Sequence, residues 1–162
     1  MLRIRQLIPP LTIRTIAGRN VQAWDYKQKK NLVIVFLHAG CASCEDFLVR
    51  LSSRAGDLKE KEAAALFVYL ETPRMPVAAT VSAEIVVGAD MSGRSQRAYI
   101  GEDAVLGVAL GVFVADRYGE LNAQWIVGAD HQFPGTAEIV SWLEHIELAC
   151  EECGVSHWRA EA

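Results

Sequence analysis

The sequence lacks any hydrophobic run long enough to span a bilayer. Its uninterrupted apolar stretches, such as Leu32–Leu37, are far short of the roughly 18 residues that a membrane-spanning helix needs. It also lacks an excess of basic residues, since 16 lysines and arginines are outnumbered by 20 aspartates and glutamates. A nucleic-acid-binding protein would carry a basic face that neutralises phosphates. Because the N-terminus shows no small-residue cleavage site, we expect no secretory signal and a cytoplasmic location, with neither membrane nor nucleic acid as a partner.

Internal repeats and low-complexity segments are absent as well. Apolar residues make up 51% of the chain and charged residues 22%, a balance typical of a globular protein with a well-formed core. The length of 162 residues fits one domain. We therefore predict a single domain over residues 1–162, with a C-terminal tail at 150–162.

Hydrophobic patterning predicts alternating strands and helices. Alternation over residues 11–16, followed by a turn, predicts an opening hairpin with 21–24, and the continuous apolar run 31–37 predicts a central strand buried on both faces. Further strands are predicted at 65–70, at 85–87 with Gly88 ending the strand, at 112–115 and at 121–127. Helices are predicted from Cys41, over 93–99 and over 136–150, and Leu148 is among the apolar positions of the last. A charged connector is predicted at 57–62. This order predicts an α/β sandwich with helices on both faces of the sheet.

The four cysteines fall into two pairs with the same C-x-x-C spacing. They are Cys41 with Cys44, and Cys150 with Cys153. In a reducing compartment, paired thiols indicate redox chemistry or metal binding more often than a structural disulfide.

The first pair lies where the predicted central strand meets an amphipathic helix. The sulfur of Cys41 is then placed where unpaired backbone N–H groups converge and the helix dipole is positive, and both effects favour thiolate over thiol. Cys44 lies one turn further along the helix and can attack a mixed disulfide formed on Cys41. This pattern predicts a nucleophile at Cys41 and a resolving thiol at Cys44.

These residues resemble the active-site segment of the thioredoxin superfamily, over VIVFLHAGCASCEDFLVRL. Two further segments are similar to its redoxin branch (the alkyl hydroperoxide reductase and thiol-specific antioxidant relatives): IPPLTIRTIAGRNVQAWDYKQKKNLVIVF at the front and GVFVADRYGELNAQWIV as a late hairpin. The resemblance implies a thioredoxin-like three-layer sandwich, with a central mixed β-sheet, helices on both faces and an N-terminal β-hairpin. It also implies that Cys41 attacks and Cys44 resolves.

The sequence departs from the family pattern in three places. Gly40 stands where thioredoxins have tryptophan, and Ala42 and Ser43 replace a dipeptide that usually contains proline. Residues 109–111 lack the family's cis-proline, so we expect a trans peptide there. The segment HAGCASC also lacks the proline and threonine of the peroxidase branch, which favours disulfide over peroxide as the substrate.

The second pair allows three hypotheses. Cys150 and Cys153 could form a second dithiol that passes electrons to Cys41 of a neighbouring subunit, or a disulfide that fixes the C-terminal turn. They could also bind zinc together with His157, with a fourth ligand such as His131 or from a second chain. A zinc site shared with Cys41 is not expected, because about 15 helical residues carry Cys150 roughly 22 Å from the Cys41 end of the sheet.

The sequence thus predicts a thiol–disulfide oxidoreductase that uses Cys41 and Cys44 and needs no cofactor beyond its own redox-active disulfide. Its expected partners are a disulfide-containing protein or a small thiol, and an external reductant such as a thioredoxin reductase or glutathione system, with the enzyme acting alone or as a homodimer. His38, three residues before Cys41, is a candidate proton relay. The alternatives are a peroxiredoxin-like thiol peroxidase and a non-catalytic zinc-binding or interaction module on the same fold.

Overall fold

The structure, a computed structural model, describes residues 1–71, 82–101 and 110–149. Within these ranges the chain forms seven strands, four α-helices and a short 3-10 helix at Ala23–Tyr26. The strands are β1 (Thr12–Thr15), β2 (Asn20–Gln22), β3 (Asn31–Leu37), β4 (Ala63–Tyr69), β5 (Ile85–Ala89), β6 (Leu110–Ala115) and β7 (Leu121–Val127). The helices are α1 (Ala42–Ser52), α2 (Ala55–Glu60), α3 (Arg94–Ile100) and α4 (Thr136–Leu148).

The seven described strands form one mixed sheet in the order β2-β1-β5-β4-β3-β6-β7. The three inner strands β3, β4 and β5 run parallel, whereas β6 pairs antiparallel with both β3 and β7. The hairpin of β1 and β2 joins the sheet through antiparallel pairing of β1 with β5. The predicted mixed sheet and N-terminal hairpin are therefore confirmed.

Alternate residues of the buried strand β3 support two separate hydrophobic layers. Val33, Val35 and Leu37 belong to one layer, against apolar residues of α1, α2 and α4. The intervening residues belong to the other layer, with Tyr99 and Ile100 of α3 and several N-terminal side chains. All seven residues of β3 are buried, as a strand covered on both faces requires. Helices thus lie on both faces, and the three-layer sandwich is confirmed.

The C-terminal end of α4 is fixed at the start of β3. The side-chain amide of buried Asn31 donates to the Lys61 carbonyl at 3.2 Å and to the Glu147 carboxylate at 3.1 Å. Its side-chain Oδ1 accepts the Arg117 backbone N–H at 3.0 Å. Because Cys41 follows the opposite end of this seven-residue strand, α4 ends about 20 Å from the Cys41 end of the sheet. This direction of α4 is the one that the sequence predicts.

Several local predictions are wrong. The expected connector at 57–62 is largely helical, because Leu58 buries one side of α2 while the charged residues around it face outward. Gly88 does not end β5 but lies inside it, paired with Thr15. Residues 23 and 24 belong to the 3-10 helix instead of continuing β2. Leu148 is 81% exposed rather than part of the core, since α4 ends there.

The other predicted elements are present, with strand ends that differ by a few residues. In the described part of the chain, no helix combines the length and apolar character needed to cross a membrane. Every described peptide bond is trans, including the one between Leu110 and Gly111, where the family pattern has its cis-proline. Ala109 lies outside the described residues.

Candidate active site

Cys41 is the N-cap residue of α1. Gly40 precedes it with a φ of +68°, a left-handed conformation that glycine adopts without strain and that turns the chain from β3 into the helix. The Cys41 backbone is extended, and its Sγ accepts a hydrogen bond from the Cys44 N–H at 3.3 Å. The sulfur therefore takes the position that a serine or aspartate oxygen occupies in an ordinary helix cap.

The two cysteines of this pair differ sharply in exposure. Cys41 is partly exposed, whereas Cys44 has no exposed surface, and both thiols are free. Burial raises the pKa of the Cys44 thiol to about 12, and a hydrogen bond to Cys41 adds to the effect. Cys44 is thus a neutral thiol near neutral pH, held next to Cys41 and shielded from solvent. Such an arrangement allows attack from outside on Cys41 only.

His131, in the loop between β7 and α4, contacts the first cysteine of the pair. Its Nδ1 lies 3.7 Å from the Sγ of Cys41, although 90 positions separate the two residues. The sequence suggests His131 only as a candidate zinc ligand and does not reveal its contact with Cys41. A histidine in the polar loop between β7 and α4 could have suggested this contact, because that loop lies at the same end of the sheet as Cys41.

His38 packs against His131 rather than against the cysteine pair directly. Their ring centroids lie 5.8 Å apart in an edge-to-face arrangement. Burial lowers the pKa of His38, and the neighbouring His131 lowers it further, while Glu71 opposes both. A hydrogen bond from the His38 backbone lowers the pKa of Cys44, against the larger effect of burial. The proposed role of His38 as a proton relay stays a prediction.

A carboxylate and a phenol lie close to the buried thiol. The hydroxyl of Tyr69, whose side chain is fully buried at the end of β4, donates to Glu45 Oε1 at 3.1 Å. Burial and the Glu45 charge raise the pKa of Tyr69, so it remains a donor. The bond keeps the Glu45 carboxylate, in the first turn of α1, oriented toward the sheet.

A shallow groove of about 520 Å³ runs beside Cys41. It lies between the first turns of α1 and the β7–α4 loop, and His131 lines it together with Ala42, Ser43, Asp46, Arg50, Gln132 and Phe133. Asp46 and Arg50 form an exposed ion pair at 2.8 Å within it. A substrate in this groove would meet His131 and would lie next to Cys41, which directly precedes the lining residue Ala42.

The second cysteine pair cannot be placed in this site. Cys150, Cys153 and His157 lie outside the described residues, so their zinc, disulfide and electron-transfer roles stay predictions. Within the described ranges, no group of three or more histidine, cysteine or acidic side chains is arranged to hold a metal ion. His131 lies beside Cys41, at the end of the sheet opposite the last turn of α4.

Two solved peroxiredoxin structures share this fold. The mitochondrial 2-Cys peroxiredoxin from Plasmodium falciparum matches with a TM-score of 0.70 at 13% sequence identity, covering 94% of this chain and 100% of that chain. The reduced 2-Cys peroxiredoxin from Plasmodium vivax matches with a TM-score of 0.72 at 12% identity, covering 89% of this chain and 81% of that one. No protein-family model and no curated protein sequence matches the chain. At these identities the likeness confirms the thioredoxin-like fold, in the form that peroxiredoxins have.

Proposed function

We propose that this protein is a thiol-dependent oxidoreductase in which Cys41 attacks the substrate and Cys44 resolves the product. The observation that carries the proposal is the N-cap geometry of Cys41. Its partly exposed sulfur accepts the Cys44 N–H at 3.3 Å, and the Cys44 thiol one helical turn away is fully buried. The amide hydrogen bond and the helix dipole both stabilise negative charge on the attacking sulfur.

A hydroperoxide is the substrate that the structural comparisons favour, since both matched structures are peroxiredoxins. The Cys41 thiolate would attack the terminal peroxide oxygen, which breaks the O–O bond, oxidises the sulfur to a sulfenic acid and releases an alkoxide that takes up a proton. The Cys44 thiol would then displace water from the sulfenic acid and form the Cys41–Cys44 disulfide. An external dithiol would reduce this disulfide and regenerate both thiols.

A disulfide is the second candidate substrate, and the C-x-x-C spacing favours it. The Cys41 thiolate would attack one sulfur of the substrate disulfide, form a mixed disulfide and release the other sulfur as a thiolate. Cys44, after losing its proton, would attack Cys41 Sγ and release the second substrate thiolate. The protein ends with the same intrachain disulfide, so the two candidates differ only in what Cys41 attacks.

Rapid mixing of the reduced protein with hydrogen peroxide, and separately with a protein disulfide such as that of insulin, tests the proposal. We expect one Cys41–Cys44 disulfide per chain with at least one of the two oxidants, identified by peptide mass spectrometry. The oxidant that reacts faster in single turnover identifies the substrate class. Loss of only the Cys150 and Cys153 thiols, with Cys41 unchanged, would contradict the proposal.

Two serine variants and a matched control complete the experiment. Cys41→Ser should react with neither oxidant at the α1 pair. Cys44→Ser should stop after the first step, as a sulfenic acid trapped by dimedone or as a stable mixed disulfide on Cys41. The double variant with Cys150→Ser and Cys153→Ser is the control, and it should still form the Cys41–Cys44 disulfide.

A further inference from the structure

We infer that His131 is a catalytic residue that donates the proton to the group leaving when Cys41 attacks its substrate. The inference rests on the proposed function. It identifies the group that gives a proton to the leaving oxygen of a hydroperoxide or the leaving sulfur of a disulfide. It goes beyond the cysteine pair because neither thiol can deliver a proton directly to the leaving atom: Cys41 attacks as the anion, and the Cys44 side chain is fully buried.

The position of His131 fits this role. Its Nδ1 lies 3.7 Å from Cys41 Sγ and its side chain lines the groove through which a substrate would approach. Because the displacement is in line, the leaving atom departs on the side of the attacked atom away from the sulfur, into the groove that His131 lines. A donor within hydrogen-bonding reach of both the sulfur and this space can protonate the leaving atom as it departs.

Two anchors hold the His131 loop against α1. The His131 N–H donates to the Gly128 carbonyl at 3.0 Å, which closes a turn after β7 and accompanies a left-handed φ of +50° at His131. Two residues further on, the Phe133 ring stacks on Phe47 of α1, with centroids 4.5 Å apart and an angle of 11° between the rings. The imidazole is thus positioned by the fold before any substrate binds, which a proton donor needs.

The other ionisable side chains near the groove are paired with other groups. Arg50 is bonded to Asp46 at 2.8 Å, and Glu45 accepts the Tyr69 hydroxyl at 3.1 Å. His38 contacts the His131 ring and is kept neutral by its surroundings, since burial and His131 lower its pKa. Among the described residues, His131 is therefore the group best placed to exchange a proton at the reacting sulfur.

The proton balance closes without any further reactant. In the proposed step, His131 Nδ1 takes the Cys41 thiol proton, which leaves a thiolate that also accepts the Cys44 N–H. Attack on a hydroperoxide or a disulfide then transfers the electron pair of the broken bond to the leaving oxygen or sulfur. The Nδ1–H gives its proton to that atom, and His131 is ready to accept the next proton.

The test compares two disulfide probes whose leaving thiols differ in basicity. Hydroxyethyl disulfide releases a strongly basic thiolate that benefits from protonation, whereas dithiobis(nitrobenzoate) releases a weakly basic thiolate that leaves without it. The variant is His131→Asn, because asparagine tolerates a φ of +50° and keeps a hydrogen-bonding atom near Nδ1 but does not titrate. Loss of the Cys41 thiol is followed near neutral pH by acid quenching and peptide mass spectrometry.

We expect His131→Asn to slow the reaction with hydroxyethyl disulfide by on the order of 100-fold more than the reaction with dithiobis(nitrobenzoate), which is the scale of general acid catalysis. Loss of the base that takes up the Cys41 proton affects both probes alike, so the ratio of the two effects measures the proton donation. The matched control is His145→Asn, on the exposed surface of α4 beside Trp142, and it should leave both rates unchanged. A merely structural role would slow both probes equally.

The outcomes separate the inference from the proposed function. If wild-type Cys41 reacts with both probes no faster than it does in the chain unfolded by denaturant, the proposed function is wrong and the inference is wrong with it. If wild type is faster but His131→Asn equals it, or loses the same factor on both probes, only the inference is overturned.

Discussion

The Nδ1 of His131 lies 3.7 Å from the Sγ of Cys41, and the two residues come from opposite halves of the chain. This contact joins the N-terminus of α1 to the loop before α4. On the other side, the sulfur accepts the Cys44 N–H from the first turn of its own helix. One partly exposed sulfur thus has a local hydrogen-bond donor from its own helix and a distant imidazole within contact distance.

Iodoacetamide should modify Cys41 and leave Cys44 unmodified in the folded protein near neutral pH. Cys44 has no exposed surface, and burial raises its pKa to about 12, so it offers neither access nor thiolate. Timed quenching and peptide mass spectrometry give the rate at each cysteine separately. In denaturant the two rates should become similar, and a folded-state rate at Cys44 equal to that at Cys41 would contradict the prediction.

The stability of the reduced protein should fall as the pH rises above about 9. The pKa of Cys44 is raised from its ordinary value of 9.0 to about 12, so the unfolded chain releases this proton first and binds fewer protons than the folded one. The contribution of Cys44 is therefore fully present below pH 9.0 and is lost as the pH rises toward 12. Urea unfolding at a series of pH values, with reductant present, measures the decline.

The control for this prediction is Cys44→Ala. Burial also raises the pKa of Tyr69 and Tyr99, so part of the decline is common to both proteins. Only wild type should show the additional loss due to the Cys44 thiol. Parallel curves for the two proteins would show that the environment of Cys44 does not favour its neutral form.

The stacked rings of Phe47 and Phe133 should be energetically coupled. A double-mutant cycle with Phe47→Leu and Phe133→Leu is expected to give a coupling free energy of about 0.5–1.5 kcal/mol, typical of aromatic pairs. Chemical denaturation of the four proteins provides the measurement. A control cycle pairs Phe47→Leu with Tyr26→Leu, because Tyr26 packs on the other face of the sheet. The two changes in unfolding free energy should be additive within about 0.5 kcal/mol.

Two glycine-to-alanine substitutions should have opposite effects on stability. A Cβ at Gly88 would lie 2.8 Å from the Arg14 carbonyl oxygen, so β1 must move away from β5, at a cost of about 1–3 kcal/mol. A Cβ at Gly56 meets nothing within 4 Å, and alanine in helix α2 should stabilise the protein by up to about 1 kcal/mol. Thermal or urea unfolding distinguishes the two, and a Gly88→Ala protein as stable as wild type would contradict the strand pairing described above.

The central features of the fold could be predicted because they depend on residues close together in sequence. The run at 31–37 is apolar at nearly every position, which only a strand covered on both faces accommodates, and β3 has these bounds. The turn between β6 and β7 follows from Asp116 and Gly119: the aspartate oxygen accepts the N–H groups of Tyr118 and Glu120 at 2.9 Å, and Gly119 adopts a φ of +86°. The placement of Cys41 and Cys44 one helical turn apart is equally local.

Where prediction failed, the sequence pattern was short or the deciding contact was distant. Helix α2 has only six residues and one fully buried side chain, too few to show a helical period. Gly88 looked like a strand end, but glycine is needed inside β5 because the Arg14 backbone approaches it closely. The exposure of Leu148 depends on where α4 passes the edge of the sheet, which its own periodicity does not reveal.

By itself the sequence determined the fold class and the adjacent cysteines, because hydrophobic period, turn residues and a helix N-terminus act over a few residues at a time. Only the tertiary structure decided that His131 contacts the Cys41 sulfur and that His38 packs against the His131 ring. That choice depends on how β7 returns beside β6 and on the stacking of Phe133 on Phe47, which bring residues 90 positions apart within contact distance.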